Sequence, residues 1–201
     1  MKRSACSLFT ALALAGLPLA AGAATAPAEV QSGHYAVEPG HTQVGFSVLH
    51  FGFTNYAGLF STVSGTLDLN VKNPAASSLS VTIPIASVQT TSDVLNGELK
   101  GAEWFDADKF PNATFVSTGV KLTGKSDAIV AGNLTIHGVT KPETLKVHFI
   151  GAGVNPLDKK YTTGFEATGT VRRSDFGVSK YVPYVSDEVT LRIAGAFEKQ
   201  D

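Results

Sequence analysis

The sequence predicts an all-β domain, either a closed barrel of about eight antiparallel strands or a two-sheet sandwich, with one short helical insertion over an opening. Three observations carry this. Apolar and polar residues alternate with period two in eight separate runs, helical spacing occurs only once, and Gly, Asn, Pro and Asp cluster between the runs.

The chain opens MKRSACSLFTALALAGLPLAAGAA, with Lys2 and Arg3 ahead of an apolar run from about Leu8 to Ala20 and then Ala21-Gly22-Ala23. That order of charge, apolar core and small residues predicts a secretory signal peptide over 1–23, cleaved near Ala23. The run of about thirteen residues falls short of the roughly twenty that span a bilayer, so no stable membrane anchor is expected. The bacterial style of the signal predicts the periplasm. Cys6, the one cysteine, leaves with the signal, so the mature chain relies on packing without disulfides. Without Lys2 and Arg3, the 16 basic residues become 14 against 17 acidic, a net charge of −3 that disfavours a nucleic-acid partner. About 178 residues remain, enough for one domain with a sizeable core.

The first strand covers 42–50, with Thr42, Val44, Phe46, Val48 and His50 on an inward face. Residues 63–71 repeat the pattern with Val63, Leu67, Leu69 and Val71, and the next strand does so with Leu79, Val81, Ile83 and Ile85. The stretch 90–111 departs from it. Ser92 or Asp93 caps a predicted short helix at about 92–101 that carries Val94, Leu95 and Leu99, and a loop with Trp104, Phe105 and Phe110 follows. Strands resume at 115–122, 129–136, 143–150, 161–173 and 188–197, with HGVTKP (137–142) and GVNPLDKK (153–160) read as hairpin loops. Alternation alone does not separate barrel from sandwich. Runs of about ten residues, tilted near 40°, would build a wall about 25 Å tall, and eight strands suffice to hold one small ligand.

Chemical constellations are sparse. His34, His41, His50, His137 and His148 include no pair at i, i+2 or i, i+4, so no metal site is expected. Glu103, Asp106 and Asp108 offer carboxylates for a hydrolase reading, but acidic residues in such a loop are usually solvated, and no nucleophile elbow or dinucleotide fingerprint occurs. Arg173 and Asp175 end a long strand, where they would either meet a polar head group or pair with each other. The remaining candidate is the apolar inner face. It is either a filled core, as in a plain structural or stress-induced module, or a ligand cavity. Aromatic residues in many strands and loops, among them Phe46, Phe53, Phe60, Phe115, Phe165 and Phe176, count against a plain core, and pattern alone leaves both readings open.

Five segments in order, HYAVEPGHTQVGFSVLHFGF, YAGLFSTVSGTL, EWFDADKFPNATFVS, GNLTIHGVTKP and RRSDFG, resemble the YceI-like family of bacterial polyisoprenoid-binding proteins over residues 33–198. The resemblance implies an eight-stranded lipocalin-like barrel and a periplasmic carrier or storage role without catalysis. The expected ligand is a polyisoprenoid, quinone-like chain or other long fatty amphiphile, with no cofactor beyond that lipid, and a homodimer is compatible with the likeness. On this reading Val44, Phe46, Val48, Phe53, Phe60, Leu67, Phe115, Phe165 and Phe176 contact the tail. His50, Arg173 and Asp175 stand near the head group, and Leu95, Leu99, Trp104 and Phe105 belong to the covering segment.

Overall fold

The strand that closes the sheet is only five residues long. In the computed structural model, which describes residues 30–201, β1 (Gly33–Val37) hydrogen-bonds to β4 (Ser64–Leu69) on one side and to β11 (Glu188–Lys199) on the other. The expected signal peptide lies outside the described residues. From β4 the ring continues through β5 (Ser78–Pro84), β7 (Asn112–Leu122), β8 (Asp127–Ile136), β9 (Val139–Val154) and β10 (Tyr161–Arg172) to β11, every pairing antiparallel. The result is a closed eight-stranded barrel with no sandwich edge. Among the described residues no helix is long and apolar enough to cross a membrane.

The count of eight agrees with the sequence, but the membership differs. β2 (Gln43–His50), read as a barrel stave, pairs with Thr190–Ala194 of β11 and carries β3 (Thr54–Phe60) and β6 (Val88–Gln89) as an extension at one end. β1 and β2 therefore share one neighbour. The switch between them is made by Thr42, whose hydroxyl donates to Ala196 O and accepts from Ala196 N at 3.2 and 3.0 Å. The Glu38 carboxylate holds the turn, accepting from the backbone N–H groups of Gly40 and His41 at 2.8 Å. β1 escapes the pattern because only Tyr35 and Val37 mark its inner face, although Tyr35 is fully buried.

The β8–β9 hairpin is tighter than the predicted 137–142 loop. His137 and Gly138, both at positive φ, make the turn, and β9 starts at Val139. β9 pairs with β10 only from Lys146 onward, so Pro142 faces β8 on one side and no ladder partner on the other. A proline without an N–H is tolerated at such a local edge.

The helix α1 (Asp93–Lys100) falls where expected. The Ser92 hydroxyl caps it by accepting from Leu95 N at 3.3 Å, Asp93 lies in the first turn and Lys100 in the last. Leu95 and Leu99 face inward one turn apart, and Leu99 is buried in a cluster with Phe60, Ile83, Ile85 and Val88. Packed there, the helix and the following loop cover one end of the barrel.

Candidate functional site: an apolar two-compartment cavity

The barrel interior holds two adjoining compartments of about 260 and 270 Å³. Val44, Ile83, Leu134, Val171 and Leu191 line both and form a waist between them. The first compartment runs toward the β7–β8 hairpin and includes Leu67, Phe115, Phe149, Phe165 and Phe197. The second lies under α1 and is lined by Phe46, Val48, His50, Phe60, Leu95, Leu99, Trp104, Phe105, Arg173 and Phe176.

Glycines keep this interior hollow. A Cβ on Gly58 would stand 2.4 Å from Phe46 Cζ, and one on Gly132 would stand 2.3 Å from Phe115 Cζ. Each aromatic ring therefore lies flat over a glycine on the neighbouring strand. The rings line the wall instead of crossing the lumen.

Of the residues singled out in the sequence, fourteen line one compartment or both, and two do not. Phe53 is 86% exposed, because the β2–β3 turn at Phe51-Gly52 ends the alternation that would have aimed it inward. Asp175 is exposed on a 3₁₀ turn, Arg173–Phe176, whose period no longer follows the strand. Also lining the second compartment, outside the set expected to contact the ligand, are Tyr56 and Tyr181, two of the chain's scattered aromatics, and Val178 and Val185. Tyr56 shares the parity of Gly58 and Phe60, a signal interrupted by the glycine. The other three lie in an irregular loop where no period exists.

Arg173 continues the inward row of β10 and is 7% exposed. It does not pair with Asp175. Its Nε donates to Ser186 O at 2.9 Å, Nη1 to Val178 O at 2.8 Å and Lys180 O at 2.9 Å, and Nη2 to Val185 O at 2.8 Å. Four of its five N–H groups thus shape the 178–186 loop, and its guanidinium lies 5.6 Å from the Trp104 ring centroid. Burial lowers the Arg173 pKa, partly offset by the Asp187 charge. Partial burial of Asp187 pushes its pKa up. The Ser174 hydroxyl and N–H, at 2.8 and 2.9 Å, and Arg172 outweigh this and hold it below the usual carboxylate range.

Among the described residues, two buried side-chain polar atoms are unpaired. Trp104 Nε1 is buried with no hydrogen-bond partner, and so is Thr163 Oγ1. A buried orphan donor costs about 1–3 kcal/mol of stability. One carboxylate also reaches the cavity. Glu143, on the inner row of β9, lines the first compartment where β9 and β10 part. Burial and then the nearby Asp175 charge raise its pKa.

The carboxylates of the hydrolase reading do not converge. Glu103 is exposed and ion-paired with Lys180, which ties the 101–107 loop to the 178–186 loop. Asp106 is buried and accepts from Lys109 Nζ at 2.9 Å, while Asp108 is exposed, and none of the three lines the cavity. Among the described residues no three His, Cys, Asp or Glu side chains group as a metal site. His34, His41 and His148 each bond a carboxylate at the surface, at 2.6–2.8 Å.

The model of the YceI-like domain matches residues 35–197, from within β1 to within β11. The chain belongs to the YceI-like family. A UPF0312 protein of Enterobacter sp. (strain 638) is 40% identical over 154 residues, covering 77% of this chain and 79% of that one. Burkholderia cenocepacia BcnA is similar in structure, with a TM-score of 0.72 and 27% identity over 80% of this chain and 98% of that one. A polyisoprenoid binding domain from Saccharophagus degradans shares the fold, with a TM-score of 0.62 and 15% identity over 85% of this chain and all of that one. The YceI-like barrel and the domain described as polyisoprenoid-binding are thus one architecture, and this chain has an apolar cavity inside it.

Proposed function

We propose that the protein is a non-catalytic, periplasmic lipid-binding protein that sequesters or carries a polyisoprenoid, quinone-like or other long-chain amphiphile. The observation that carries this reading is the pair of adjoining apolar compartments, kept open by aromatic rings lying over Gly58 and Gly132. A filled structural module has no use for that arrangement. The tail occupies the first compartment and passes the waist, and the polar end rests in the second, which Trp104, His50 and Arg173 line. Burying about ten methylene groups at roughly 0.8 kcal/mol each gives about 8 kcal/mol before ordering costs, the scale of a micromolar dissociation constant. No covalent chemistry is required. The signal-like order of charge, apolar run and small residues over 1–23 and the family likeness support the periplasmic address.

Mass spectrometry of organic extracts from protein purified without detergent tests the reading. A stoichiometric isoprenoid or related amphiphile is expected. Lipid-free protein that also takes up no added isoprenoid would overturn it.

A further inference from the structure

The β2–β3 hairpin tip, His50-Phe51-Gly52-Phe53-Thr54, departs from what a soluble hairpin needs. Phe51 and Gly52 have φ of +50° and +73°, and Phe53 N donates to His50 O at 3.0 Å. Turns with both central residues at positive φ favour Asn-Gly or Asp-Gly, and a bulky residue in the left-handed region is strained. Here the first central position is a phenylalanine. It is 47% exposed, and the next residue but one, Phe53, is 86% exposed.

The tip is held firmly in this exposed state. Phe51 N donates to Tyr184 O at 2.8 Å, their rings stack at 6.2 Å, and His50 meets the Phe51 ring edge-on at 4.5 Å. Leu49 bonds Ser186 through both its N–H and its carbonyl. Tyr184, Tyr181 and Leu49 are 69%, 54% and 46% exposed. His50 and Tyr181 also line the second compartment, so this aromatic collar is continuous with the rim of the cavity. From Leu49 to Ala57 the hairpin contains no Asp, Glu, Lys or Arg.

We propose that this collar docks the rim of the barrel on a phospholipid bilayer, so that cargo passes between membrane and cavity without crossing water. The inference rests on the lipid-binding reading above. A bilayer fits the observations better than a protein. The collar exposes roughly 600 Å² of largely apolar surface, at the top of the range for soluble monomers, yet short of the about 800 Å² that each partner of a stable complex buries. Its chemistry, an uncharged hairpin with phenylalanine at the apex, tyrosines behind and the Lys180 ammonium 5.2 Å from the Tyr181 ring, is that of a membrane interface.

The test compares the parent with Phe51→Asn/Phe53→Ser. The Asn-Gly turn created at 51–52 is the favoured one, so the hairpin stays folded, and circular dichroism and melting confirm it. Flotation with 3:1 phosphatidylethanolamine:phosphatidylglycerol vesicles reads docking. Uptake of a long-chain ubiquinone, from those vesicles or diluted from ethanol, is followed by quenching of Trp104, the one tryptophan. The variant is expected to float at least tenfold less and to take up quinone from vesicles at least tenfold more slowly, with unchanged uptake from ethanol. Equal flotation of the two proteins, or a parent that does not float but loads from ethanol, overturns docking and spares the lipid-binding reading. Flotation without loading from either source does the reverse. A parent dimer that the double substitution dissociates overturns docking in favour of a second copy of the chain.

Discussion

Replacing Arg173 with alanine should unseat the wall of the second compartment. The four carbonyls that the guanidinium bonds belong to Val178, Lys180, Val185 and Ser186, and all lie on the loop that closes the barrel beside Trp104. The bonds to Val178 and Val185 are buried and would leave acceptors without water, at about 1–3 kcal/mol each. The other two are partly buried and regain solvent, so they add little. Losing the cation from the Trp104 face adds about 0.5–1 kcal/mol. The expected loss is about 3–5 kcal/mol, or roughly 6–20 °C in Tm for a chain of this size. Urea denaturation gives the free energy, and calorimetry gives the Tm. Arg173→Lys, with the charge but without the planar fork, should fall between parent and alanine. A loss below about 1 kcal/mol for Arg173→Ala would refute the reasoning, because the loop would then hold its shape without the guanidinium.

Three further outcomes follow from the same geometry. Gly132→Ala pushes the Phe115 ring into the lumen, and should cost about 1–3 kcal/mol and weaken isoprenoid uptake; adding Phe115→Leu should restore binding in titrations, and no restoration would show that the ring is not the obstacle. Thr163→Val removes a fully buried, unpaired hydroxyl, so urea unfolding should show a gain of about 1 kcal/mol; a loss of that size would reveal a missed hydrogen bond. Glu143 has a raised pKa in the fold, so its penalty is absent well below the usual 4.5, grows as pH rises through that value and is complete above the folded-state value. Glu143→Gln should therefore raise the urea midpoint at pH 7 and leave it nearly unchanged at pH 3, and Asp175→Asn should act in the same direction more weakly; equal effects at both pH values would exclude titration as the cause.

Much of the barrel was legible because period two is a local property. The inner rows of β2, β4, β5 and β11, with Phe115 of β7 and Phe165 of β10, are where alternation put them, whereas the irregularity at Ser117/Gly119 switches the rest of the β7 row to Val120 and Leu122; Ser92 with Leu95 and Leu99 marked α1. Elements whose form depends on partners were not. β1 is too short to show a pattern, and β3 hides one behind Gly58. The start of β9 resembled a loop because Pro142 is acceptable only where β10 has peeled away. In the cavity, residues on regular strands were found. Val178 and Val185 were not, since their positions are set by carbonyls folding around Arg173. Phe53 and Asp175 were misplaced by turns that reset the direction of the chain.

By itself, then, the sequence determined the fold class, the inward face of each regular strand, the covering helix and the apolar character of the interior, because burial acts residue by residue along an extended chain. Only the tertiary structure decided which strand closes the ring, what Arg173 bonds, and that the interior is hollow. Those depend on long-range register. Gly58 admits the Phe46 ring only because β2 and β3 pair in that register, and Gly132 admits Phe115 only because β7 and β8 do.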